Sequence, residues 1–390
     1  MVALPSILDN DFYKFTMQQC ALKLFPRAKA RYRFINRGTH SFPNGFAEQL
    51  RHSVDAMSSL KLTKEEKRWL CNNCPYLDPV YLDFLEGYCY NPLEVKISQA
   101  GDKLDVFIEG LWYRTILWEV PLLCLISEIF FAMQQMQREN DEQVVEKTRN
   151  KIEAYGDLDV TVAEFGTRRR HSFNVHQLVV AALKKYGKTF VGTSNVHLAM
   201  VNETKPIGTH AHEWFMFHAA KYGFKMANTM ALEHWVDVYR GDLGIALSDT
   251  FTTDEFYAVF DKKFTKLFDG VRQDSGDPIE FADKTIEHYK RMGIDPLSKT
   301  IIFSDSLDIE KVKRIAVYCR DRIGMSFGIG TNFTNDVGLK PMNIVIKMTE
   351  AFPEAEPWTA VVKLSDVVGK HSGDARTIEL AKEILGIKKE

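Results

Sequence analysis

The sequence predicts a mixed α/β protein in which an irregular β/α barrel of about seven strands is joined to an α+β sandwich built from both chain ends. Between residues 158 and 332, short apolar runs alternate with amphipathic helical stretches. This alternation is typical of parallel strands with right-handed crossovers. Several runs end in glycine, histidine, arginine or aspartate, as strand ends do in barrel active sites. A doubly wound sheet is the alternative, because strand order cannot be read from the sequence.

The two ends of the chain lack this alternation and predict a separate domain. Its expected elements are a helix over 11–24, a strand over 29–36, and two hairpins that share one sheet, formed by 94–98 with 104–108 and by 343–348 with 360–364. A largely helical stretch over 120–155 leads into the middle of the chain. The predicted domains are therefore a discontinuous sandwich, 1–118 with 341–390, and a barrel over 119–340.

Seven apolar runs are predicted as barrel strands, in the order Val160–Phe165, Thr189–Thr193, Pro206–Thr209, Ile245–Ser248, Phe268–Val271, Thr300–Phe303 and Ser326–Ile329. Helix-start signals follow two of them. Thr252 and Glu255 have the spacing of a capping box. Asp277 before Pro278 is typical of an N-cap followed by proline in the first helical position. These signals support strand–helix alternation.

Composition excludes several functional classes. The chain has 390 residues, with Lys+Arg 50 against Asp+Glu 52, so no global positive charge favours nucleic acid. The six cysteines include one close pair, Cys71 and Cys74, without the second pair that a structural zinc site needs. The most apolar stretch, 120–133, is too short to cross a bilayer. No signal peptide is apparent. We therefore expect a cytoplasmic enzyme that binds neither nucleic acid nor membrane.

Five strand ends carry the chemistry. Arg168, Arg169 and Arg170 follow the first run, and an arginine cluster at a glycine turn predicts an anion pocket. His210 and His212 lie at the predicted start of a helix. A neutral imidazole in this place can act as a base, a metal ligand or a nucleophile toward phosphorus, and a helix N-terminus favours phosphate. Spacing alone does not separate these roles from a structural one.

The last three strand ends add carboxylates and glycines. Arg272 and Asp274 mix a cation with an acid, and Asp305 ends the next run. Such carboxylates can hold Mg²⁺ or face the hydroxyls of a ribose. Gly328 and Gly330, with Thr331, end the final run, and glycines allow backbone N–H groups to approach a phosphate closely. Together the strand ends indicate an enzyme acting on a phosphorylated substrate.

Ordered motifs along nearly the whole chain resemble the nicotinate phosphoribosyltransferase family, in its compact bacterial and fungal form. They are Asp11–Met17, Phe165–Arg168, Gly192–Asn195, Gly208–Trp214, Arg272–Asp277, Gly328–Thr331, and Val345–Met348 with Val362–Asp366. The resemblance implies conversion of nicotinate and phosphoribosyl pyrophosphate to nicotinate mononucleotide and pyrophosphate. It also implies coupled hydrolysis of ATP as a cosubstrate, Mg²⁺, and no tightly bound organic cofactor. The phosphorylated histidine of the family falls on His212.

The resemblance also implies roles for the remaining residues. Phe165 and Tyr13 would sandwich the nicotinate ring. In the family, the Tyr13 position comes from the neighbouring subunit, which implies a homodimer with shared active sites. Either Arg168 or Arg272 would pair with the nicotinate carboxylate. Gly330 and Thr331, in the turn that begins near Gly328, would bind the 5′-phosphate. Asp274 and Asp305 would face the ribose or Mg²⁺-pyrophosphate.

Three other enzyme classes compete with this interpretation. An enzyme for nicotinamide would want a carboxylate opposite the amide, and Ser194 with Asn195 offers none at that strand end. An enzyme for quinolinate would need a more basic pocket and no phosphohistidine. A metal-dependent hydrolase would use His210 and His212 as ligands, without an evident third. Nicotinate is therefore the expected substrate, with a non-catalytic scaffold as the least favoured alternative.

Overall fold

The structure is a computed structural model that describes residues 2–354 and 357–387. Its α-helices within these ranges are α1 (Phe12–Leu24), α2 (Phe46–Ala56), α3 (Lys64–Asn73), α4 (Pro79–Gly87), α5 (Trp112–Thr115), α6 (Glu119–Met133), α7 (Asp141–Asp157), α8 (Phe173–Tyr186), α9 (Val196–Val201), α10 (His212–Tyr222), α11 (Phe224–Tyr239), α12 (Thr253–Val259), α13 (Lys262–Leu267), α14 (Pro278–Met292), α15 (Ile309–Cys319), α16 (Thr331–Thr334) and α17 (Ala375–Leu385).

The strands are β1 (Lys29–Asn36), β2 (Val95–Ala100), β3 (Lys103–Leu111), β4 (Thr161–Glu164), β5 (Phe190–Thr193), β6 (Lys205–Pro206), β7 (Arg240–Leu243), β8 (Ile245–Leu247), β9 (Gly270–Gln273), β10 (Thr300–Phe303), β11 (Gly324–Ile329), β12 (Ile344–Phe352) and β13 (Thr359–Ala360). Short 3₁₀ turns connect several of these elements.

A seven-stranded sheet confirms the predicted strands. Its order is β6-β5-β4-β11-β10-β9-β8, so all seven apolar runs enter one sheet. Parallel pairing joins β10 to both β9 and β11, with Ile302 opposite Arg272 and Ser326. The sheet is open and curled as a half-barrel. This confirms the predicted fold class, an irregular β/α barrel with a second sheet.

The five-stranded sheet unites the two chain ends, as predicted. Its order is β13-β12-β1-β3-β2, and β2 pairs with β3 antiparallel. The C-terminal hairpin is shorter than expected, because β13 contains only Thr359–Ala360 and pairs with Glu350 and Ala351 of β12. The predicted strand over 360–364 is therefore wrong beyond Ala360. The Val361 N–H still donates to the Thr349 carbonyl of β12 at 3.0 Å, whereas Lys363 pairs with Ser372 and the Leu364 N–H donates to the Thr250 carbonyl.

By its internal contacts, the chain divides into two compact units. Unit 1 contains Met1–Gln19, Arg31–Gly208 and Ile329–Lys347. Unit 2 contains Cys20–Ala30, Thr209–Gly328 and Met348–Glu390. The predicted division, 1–118 with 341–390 against 119–340, is a different partition and stays a prediction.

Unit 1 contains the most apolar helical run. The continuous helical stretch Trp112–Met133, formed by α5, α6 and the 3₁₀ turn between them, has the length and hydropathy of a membrane span. It is longer than the stretch that the sequence indicated. However, 83% of its most apolar window is buried inside the protein. Core helices commonly pass the same test, so this run supports no membrane assignment.

Helix starts follow the local signals in the sequence. Asp277 caps α14 by accepting hydrogen bonds from the N–H groups of Ile279 at 2.8 Å and Glu280 at 3.1 Å. The Thr252 hydroxyl accepts from the Glu255 N–H at 3.4 Å and so caps α12. These caps satisfy backbone donors that have no partner within the helix. Asp277 therefore has the capping role that the sequence predicted.

Candidate active site

The first candidate cluster lies in unit 2, where α10 begins at His212 as predicted. Asn or Ser commonly caps a helix, but here the N-cap residue is Ala211, which has no side-chain acceptor. The first turn therefore presents backbone N–H groups that no side chain at the cap satisfies. A helix N-terminus of this kind favours anions and disfavours an imidazolium.

The His212 ring has polar partners on both nitrogens. Its Nδ1 lies 3.0 Å from the Thr250 hydroxyl oxygen. Its Nε2 lies 2.8 Å from the ammonium of Lys363 and 3.1 Å from a carboxylate oxygen of Asp274. The nearest carboxylate oxygen of Asp249 is 3.7 Å away from Nε2. The imidazole is therefore held between two acids and one amine.

Two neutral tautomers suit these contacts. An ammonium only donates and an ionised carboxylate only accepts, so Nε2 satisfies either Lys363 or Asp274 at one time. In the first tautomer, Nε2 accepts from Lys363 and Nδ1 donates to Thr250. In the second, Nε2 donates to Asp274 and Nδ1 accepts from the Thr250 hydroxyl. Either way, one ring nitrogen keeps a lone pair that can attack phosphorus.

The electrostatics keep this histidine neutral. Burial, together with the nearby Lys363, lowers the pKa of His212 to about 4, against the raising effect of Asp249 and Asp274. At pH 7 the ring is therefore unprotonated. Burial alone would raise the pKa of Asp274, but Arg272, His212 and Lys363 hold it well below its usual range. The acid stays ionised next to a neutral base.

A hydrogen-bonded chain fixes Asp249 behind the imidazole. One Asp249 oxygen accepts from the Ser275 hydroxyl at 2.6 Å and pairs with the Lys363 ammonium at 3.0 Å. Ser365 donates to Ser275 at 2.9 Å. The Asp249 side chain is almost completely buried, and its other oxygen has no hydrogen-bond partner among the described residues. That oxygen is the one closest to His212 Nε2.

Arg272 and Asp305 belong to the same unit but make separate contacts. Arg272 donates from Nη2 to Asp274 at 2.8 Å and from Nε to the Ser304 hydroxyl at 2.9 Å. Asp305 pairs with the Lys370 ammonium at 2.5 Å. Lys370 also donates to the backbone carbonyl of Asp274 at 3.3 Å. Of the predicted residues, His212, Asp274 and Arg272 are thus joined directly, and Asp305 is joined through Lys370.

His210 has a different environment from His212. Its ring meets those of Trp235 and Phe215 edge-on, with centroids 4.7 and 5.2 Å apart. Neither ring nitrogen has a hydrogen-bond partner among the described residues. Burial lowers the pKa of His210 to about 3. These contacts are those of a packed, neutral core histidine.

A cation position exists in this cluster. Ligand atoms of His212, Asp249 and Asp274 lie within 4.8 Å of one another. The Lys363 ammonium is 2.8, 3.0 and 3.9 Å from the same three side chains. A positive charge therefore already sits among the acids. His210 is not a member of the group, so the pair of ligands expected for a hydrolase is not assembled.

A second candidate cluster lies in unit 1, around the end of β4. The Phe165 N–H donates to the Ile329 carbonyl at 2.8 Å, and the Thr334 hydroxyl donates to the Gly166 carbonyl at 2.9 Å. A Cβ at Gly166 would lie 2.1 Å from the Thr334 hydroxyl and 2.8 Å from the Gly330 carbonyl. Glycine is therefore required here. The predicted Phe165 strand end and Gly330–Thr331 turn are packed together, whereas Gly328 falls in unit 2.

Ser194 and Arg168 meet two acids in unit 1. The Ser194 hydroxyl donates to Asp11 at 2.7 Å. Arg168 lies 4.0 Å from Asp11 and 3.4 Å from Glu119, and about a third of its side chain is exposed. Lys14 forms a 2.6 Å pair with Glu119. A carboxylate thus approaches Ser194 from the N-terminal segment, which the reasoning about nicotinamide did not foresee.

Tyr13 is placed by its own chain. The Phe12 N–H donates to the Ser194 carbonyl at 2.7 Å, so the start of α1 is bound to the end of β5. A Cβ at Gly208 would lie 2.9 Å from the backbone nitrogen of Tyr13. The Tyr13 ring is buried, and burial raises the pKa of its hydroxyl far above the ordinary value. Tyr13 and Ser194 are thus brought into one neighbourhood.

The arginine triplet does not form one anion pocket. Arg170 is fully buried and makes two hydrogen bonds to Asp9, of 2.6 and 2.7 Å. Burial alone would raise the pKa of Asp9, but Arg170 and Asn195 outweigh burial, and the pKa lies below its usual range. The guanidinium of Arg170 is therefore committed to the core. The Arg168 side chain, by contrast, lies beside the acids near Ser194.

Comparison with known proteins completes the description. Residues 8–127 match the model of the nicotinate phosphoribosyltransferase N-terminal domain, and residues 160–389 match the model of the nicotinate phosphoribosyltransferase family. The chain belongs to the nicotinate phosphoribosyltransferase family. The resemblance that the motifs indicated is confirmed, and the chain is a phosphoribosyltransferase of pyridine nucleotide synthesis.

Relatives match over almost the full length. The nicotinate phosphoribosyltransferase of Chromohalobacter salexigens is 65% identical over 98% of this chain and 99% of its own. That of Desulforapulum autotrophicum is 49% identical over the same shares. The crystal structure of the Porphyromonas gingivalis nicotinate phosphoribosyltransferase superposes with a TM-score of 0.96 at 46% identity, covering 98% of this chain and 100% of that one. A putative nicotinate phosphoribosyltransferase of Saccharomyces cerevisiae gives a TM-score of 0.94 at 33% identity, covering 100% of this chain and 99% of that one.

Proposed function

We propose that the chain catalyses the ATP-coupled transfer of a phosphoribosyl group to nicotinate, through a phosphohistidine at His212. The reaction consumes nicotinate, phosphoribosyl pyrophosphate, ATP and water, and yields nicotinate mononucleotide, pyrophosphate, ADP and phosphate. The observation that carries the proposal is the buried, neutral imidazole of His212 at the start of α10. Such a ring is a nucleophile toward phosphorus, and the helix N-terminus favours the phosphoryl group that it receives.

Coupling requires that the phosphorylated and free enzymes bind the substrates differently. Phosphorylation would add negative charge beside Asp249 and Asp274, which already share the Lys363 ammonium. The local contacts of these side chains must then rearrange. We infer that the phosphorylated form binds phosphoribosyl pyrophosphate more tightly, and that hydrolysis of the phosphohistidine releases the products.

The pocket for nicotinate is proposed around Phe165 and Tyr13, whose rings suit a flat heterocycle. Arg168 and Arg272 remain the two candidates for its carboxylate. Arg272 already donates to Asp274 and Ser304, and 18% of its side chain is exposed, against 36% of the Arg168 side chain. An exposed guanidinium can add a bidentate carboxylate partner with less rearrangement. This comparison favours Arg168.

Nicotinate is favoured over nicotinamide by the names of the relatives. Ser194 discriminates less against nicotinamide than the sequence indicated, because its hydroxyl is hydrogen-bonded to the Asp11 carboxylate. Burial raises the pKa of Asp11, against the opposing effects of Arg168 and Ser194.

The turn at Gly330 and Thr331 is proposed to hold the 5′-phosphate. Asp274 and Asp305 are proposed to face the ribose or the Mg²⁺ ion that accompanies pyrophosphate. Carboxylates near the anomeric carbon would stabilise the positive charge that develops as pyrophosphate leaves. Mg²⁺ enters as the counterion of this substrate, and no tightly bound organic cofactor is required. We further propose a cytoplasmic location.

A homodimer with shared active sites is also proposed, on the basis of the family resemblance. The Tyr13 segment is bound to Ser194 of its own chain, so an intrachain site is the alternative. Mixing a Tyr13→Ala variant with a His212→Ala variant tests the difference. Hybrid dimers are expected to recover activity if each site needs Tyr13 from one subunit and His212 from the other. Verified heterodimers without recovery would contradict sharing.

The activity test follows both products at once. Pure protein is incubated with Mg²⁺, phosphoribosyl pyrophosphate and ATP, with nicotinate in one reaction and nicotinamide in another. Mononucleotide is expected only from nicotinate, with ADP rising in parallel. His212→Ala should abolish ATP hydrolysis and leave slow, uncoupled transfer at high substrate concentration. The matched control is His52→Ala, which removes an exposed histidine of unit 1. Full ATP hydrolysis in His212→Ala would refute the phosphohistidine.

A further inference from the structure

Lys363 is a buried lysine in the His212 cluster, to which the proposed reaction gives no role. Its ammonium lies 2.8 Å from His212 Nε2, 3.0 Å from Asp249 and 3.9 Å from Asp274. About 7% of its side chain is exposed. Lysine is seldom buried so deeply unless it is paired. Here it reaches the proposed nucleophile and two acids from one point.

The backbone around Lys363 is fixed on both sides. Lys363 and Ser372 form an antiparallel bridge through N–H···O hydrogen bonds of 2.9 and 3.0 Å. The Leu364 N–H donates to the carbonyl of Thr250, the same residue whose hydroxyl meets His212. Gly373 has φ +119°, and a Cβ there would lie 2.7 Å from the Val361 carbonyl. The segment that carries Lys363 therefore has little conformational freedom, and it holds the side chain in the cluster.

The charges around His212 define what this lysine must do. The groups that face the ring or its partners are Lys363, Asp249, Asp274, Arg272 and the neutral His210. Arg272 is hydrogen-bonded to Asp274, so its charge offsets that acid. Lys363 is then the cation left to offset Asp249 and any charge added to the imidazole.

We propose, on the basis of the proposed phosphohistidine reaction, that Lys363 is the charge-compensating residue of that step. Its ammonium keeps the His212 ring in the unprotonated form between the two acids. After transfer, the same ammonium pairs with the phosphoryl oxygens. Lysine suits this double role, because its compact ammonium has three donors that can be redirected without moving the backbone.

In the proposed transfer, one bond to phosphorus forms and one breaks. The lone pair of one His212 nitrogen forms a bond to the γ-phosphorus of ATP, and the bond from that phosphorus to the β–γ bridging oxygen breaks. ADP leaves with the electron pair of the broken bond. The other ring nitrogen keeps its proton, so the phosphorylated side chain carries one more negative charge than the neutral ring. Water later attacks the phosphorus, which returns the neutral imidazole and releases inorganic phosphate.

The test measures phosphorylated enzyme directly. Full-length wild type and variants are incubated with Mg²⁺ and γ-³²P-labelled ATP between pH 5 and pH 9. Acid-labile, alkali-stable protein phosphate is counted and mapped to His212 by mass spectrometry. Lys363→Met is expected to carry at least about tenfold less phosphate at pH 7 than wild type. Without the ammonium, the two acids stabilise the imidazolium, so the acid limb of its pH profile should move upward by about one pH unit or more.

Two further variants separate charge from folding. Lys299→Met is the matched control, because Lys299 is a buried lysine of unit 2 that donates to the Phe268 carbonyl, away from the cluster. It should phosphorylate with the wild-type profile. Lys363→Arg keeps the charge, so its acid limb should stay in place even if its yield falls. This variant decides the question if Lys363→Met does not fold.

Each outcome has one meaning. Equal phosphorylation and an unmoved pH profile in folded Lys363→Met would overturn the role of Lys363 while leaving the phosphohistidine intact. An upward shift in Lys363→Arg despite its retained charge would also overturn it. A wild-type enzyme that forms no phosphohistidine would overturn the proposed function, and this inference with it.

Discussion

Replacing Arg170 by methionine is expected to destabilise unit 1 strongly, although Arg170 takes no part in the proposed chemistry. The Arg170 guanidinium makes two hydrogen bonds to Asp9, of 2.6 and 2.7 Å, and both side chains are completely buried. The Asn195 amide donates at 2.7 Å to Asp9 Oδ1, the oxygen that also accepts the 2.6 Å hydrogen bond from Arg170. Without Arg170, the Asp9 carboxylate would remain in the core with the Asn195 amide as its side-chain donor among the residues that the structure describes.

The size of the effect follows from the burial of the pair. Removing one partner of a buried ion pair leaves an uncompensated charge and costs about 3–5 kcal/mol. For a unit of this size, such a loss lowers the melting temperature by on the order of 10 °C. The reverse change, Asp9→Leu, should cost a similar amount, because it leaves the guanidinium of Arg170 without a counter-charge.

The assay is a double-mutant cycle. Urea or thermal unfolding is measured for wild type, Arg170→Met, Asp9→Leu and the double variant. The double variant should be more stable than the sum of the two single losses predicts, by several kcal/mol, since two apolar side chains replace two buried charges. A control pair, Arg149→Met and Glu153→Leu, removes an exposed i,i+4 salt bridge and should cost less than about 1 kcal/mol.

Additive losses in the cycle would refute the reasoning. So would an Arg170→Met protein that melts within about 2 °C of wild type. Either result would mean that water or another group solvates Asp9 in the folded state. The Arg170–Asp9 pair would then not stabilise unit 1 in the way that its buried geometry indicates.

Three further predictions concern pH, a turn and substrate affinity. In the unfolded chain His212 gains a proton near pH 6.5, whereas in the folded site it does so only near pH 4. The free energy of unfolding therefore falls as the pH falls through this window. His212→Gln should remove about 2 kcal/mol of the loss that wild type shows between pH 7 and pH 5, measured by urea unfolding. An equal pH response in both proteins would contradict this. Gly166→Ala should lower both the melting temperature and the affinity for phosphoribosyl pyrophosphate, because its methyl group collides with Thr334; unchanged binding by calorimetry would exclude this turn from the site. Arg168→Ala should raise the KM for nicotinate at least about tenfold with little change for ATP. If Arg272→Ala shows that selective effect instead, the carboxylate partner is Arg272.

Much of the fold was predictable because its signals are local. Each of the seven apolar runs became a strand of one sheet, since short buried strands between capped helices have few other arrangements. The chain ends shared a sheet for a similar reason. The strand over 360–364 ended early. Val361 keeps one backbone hydrogen bond to Thr349 of β12, whereas Val362 and Leu364 are buried by packing and not by pairing with β12. Periodicity does not separate these two kinds of burial.

The candidate cluster was predictable only in part. His212, Asp274 and Arg272 were expected to lie together because they occupy strand or helix ends with recognisable motifs, and they do, while their chemical roles stay predictions. Lys363 was missed as a participant, although it lies in a motif that carried the family resemblance, since nothing local indicates that it reaches a histidine 151 positions away. Asp11 was missed behind Ser194 for the same reason, at a separation of 183 positions. Arg170 was assigned to an anion pocket because a sequence does not show which arginine points inward.

The apolar helical run Trp112–Met133 has a consequence for the synthesis of the chain. Two of its polar side chains are satisfied by residues made later, since Cys124 donates to the Thr167 carbonyl at 3.0 Å and Ser127 to the Arg170 carbonyl at 2.7 Å. Those partners lie 43 positions further along, a delay of about 2–9 s at ordinary ribosomal rates. During that interval, a segment with the hydropathy of a membrane span is outside the core that later covers it. We expect the nascent chain to engage holding chaperones at this segment, and its yield to depend on how quickly residues 134–170 follow.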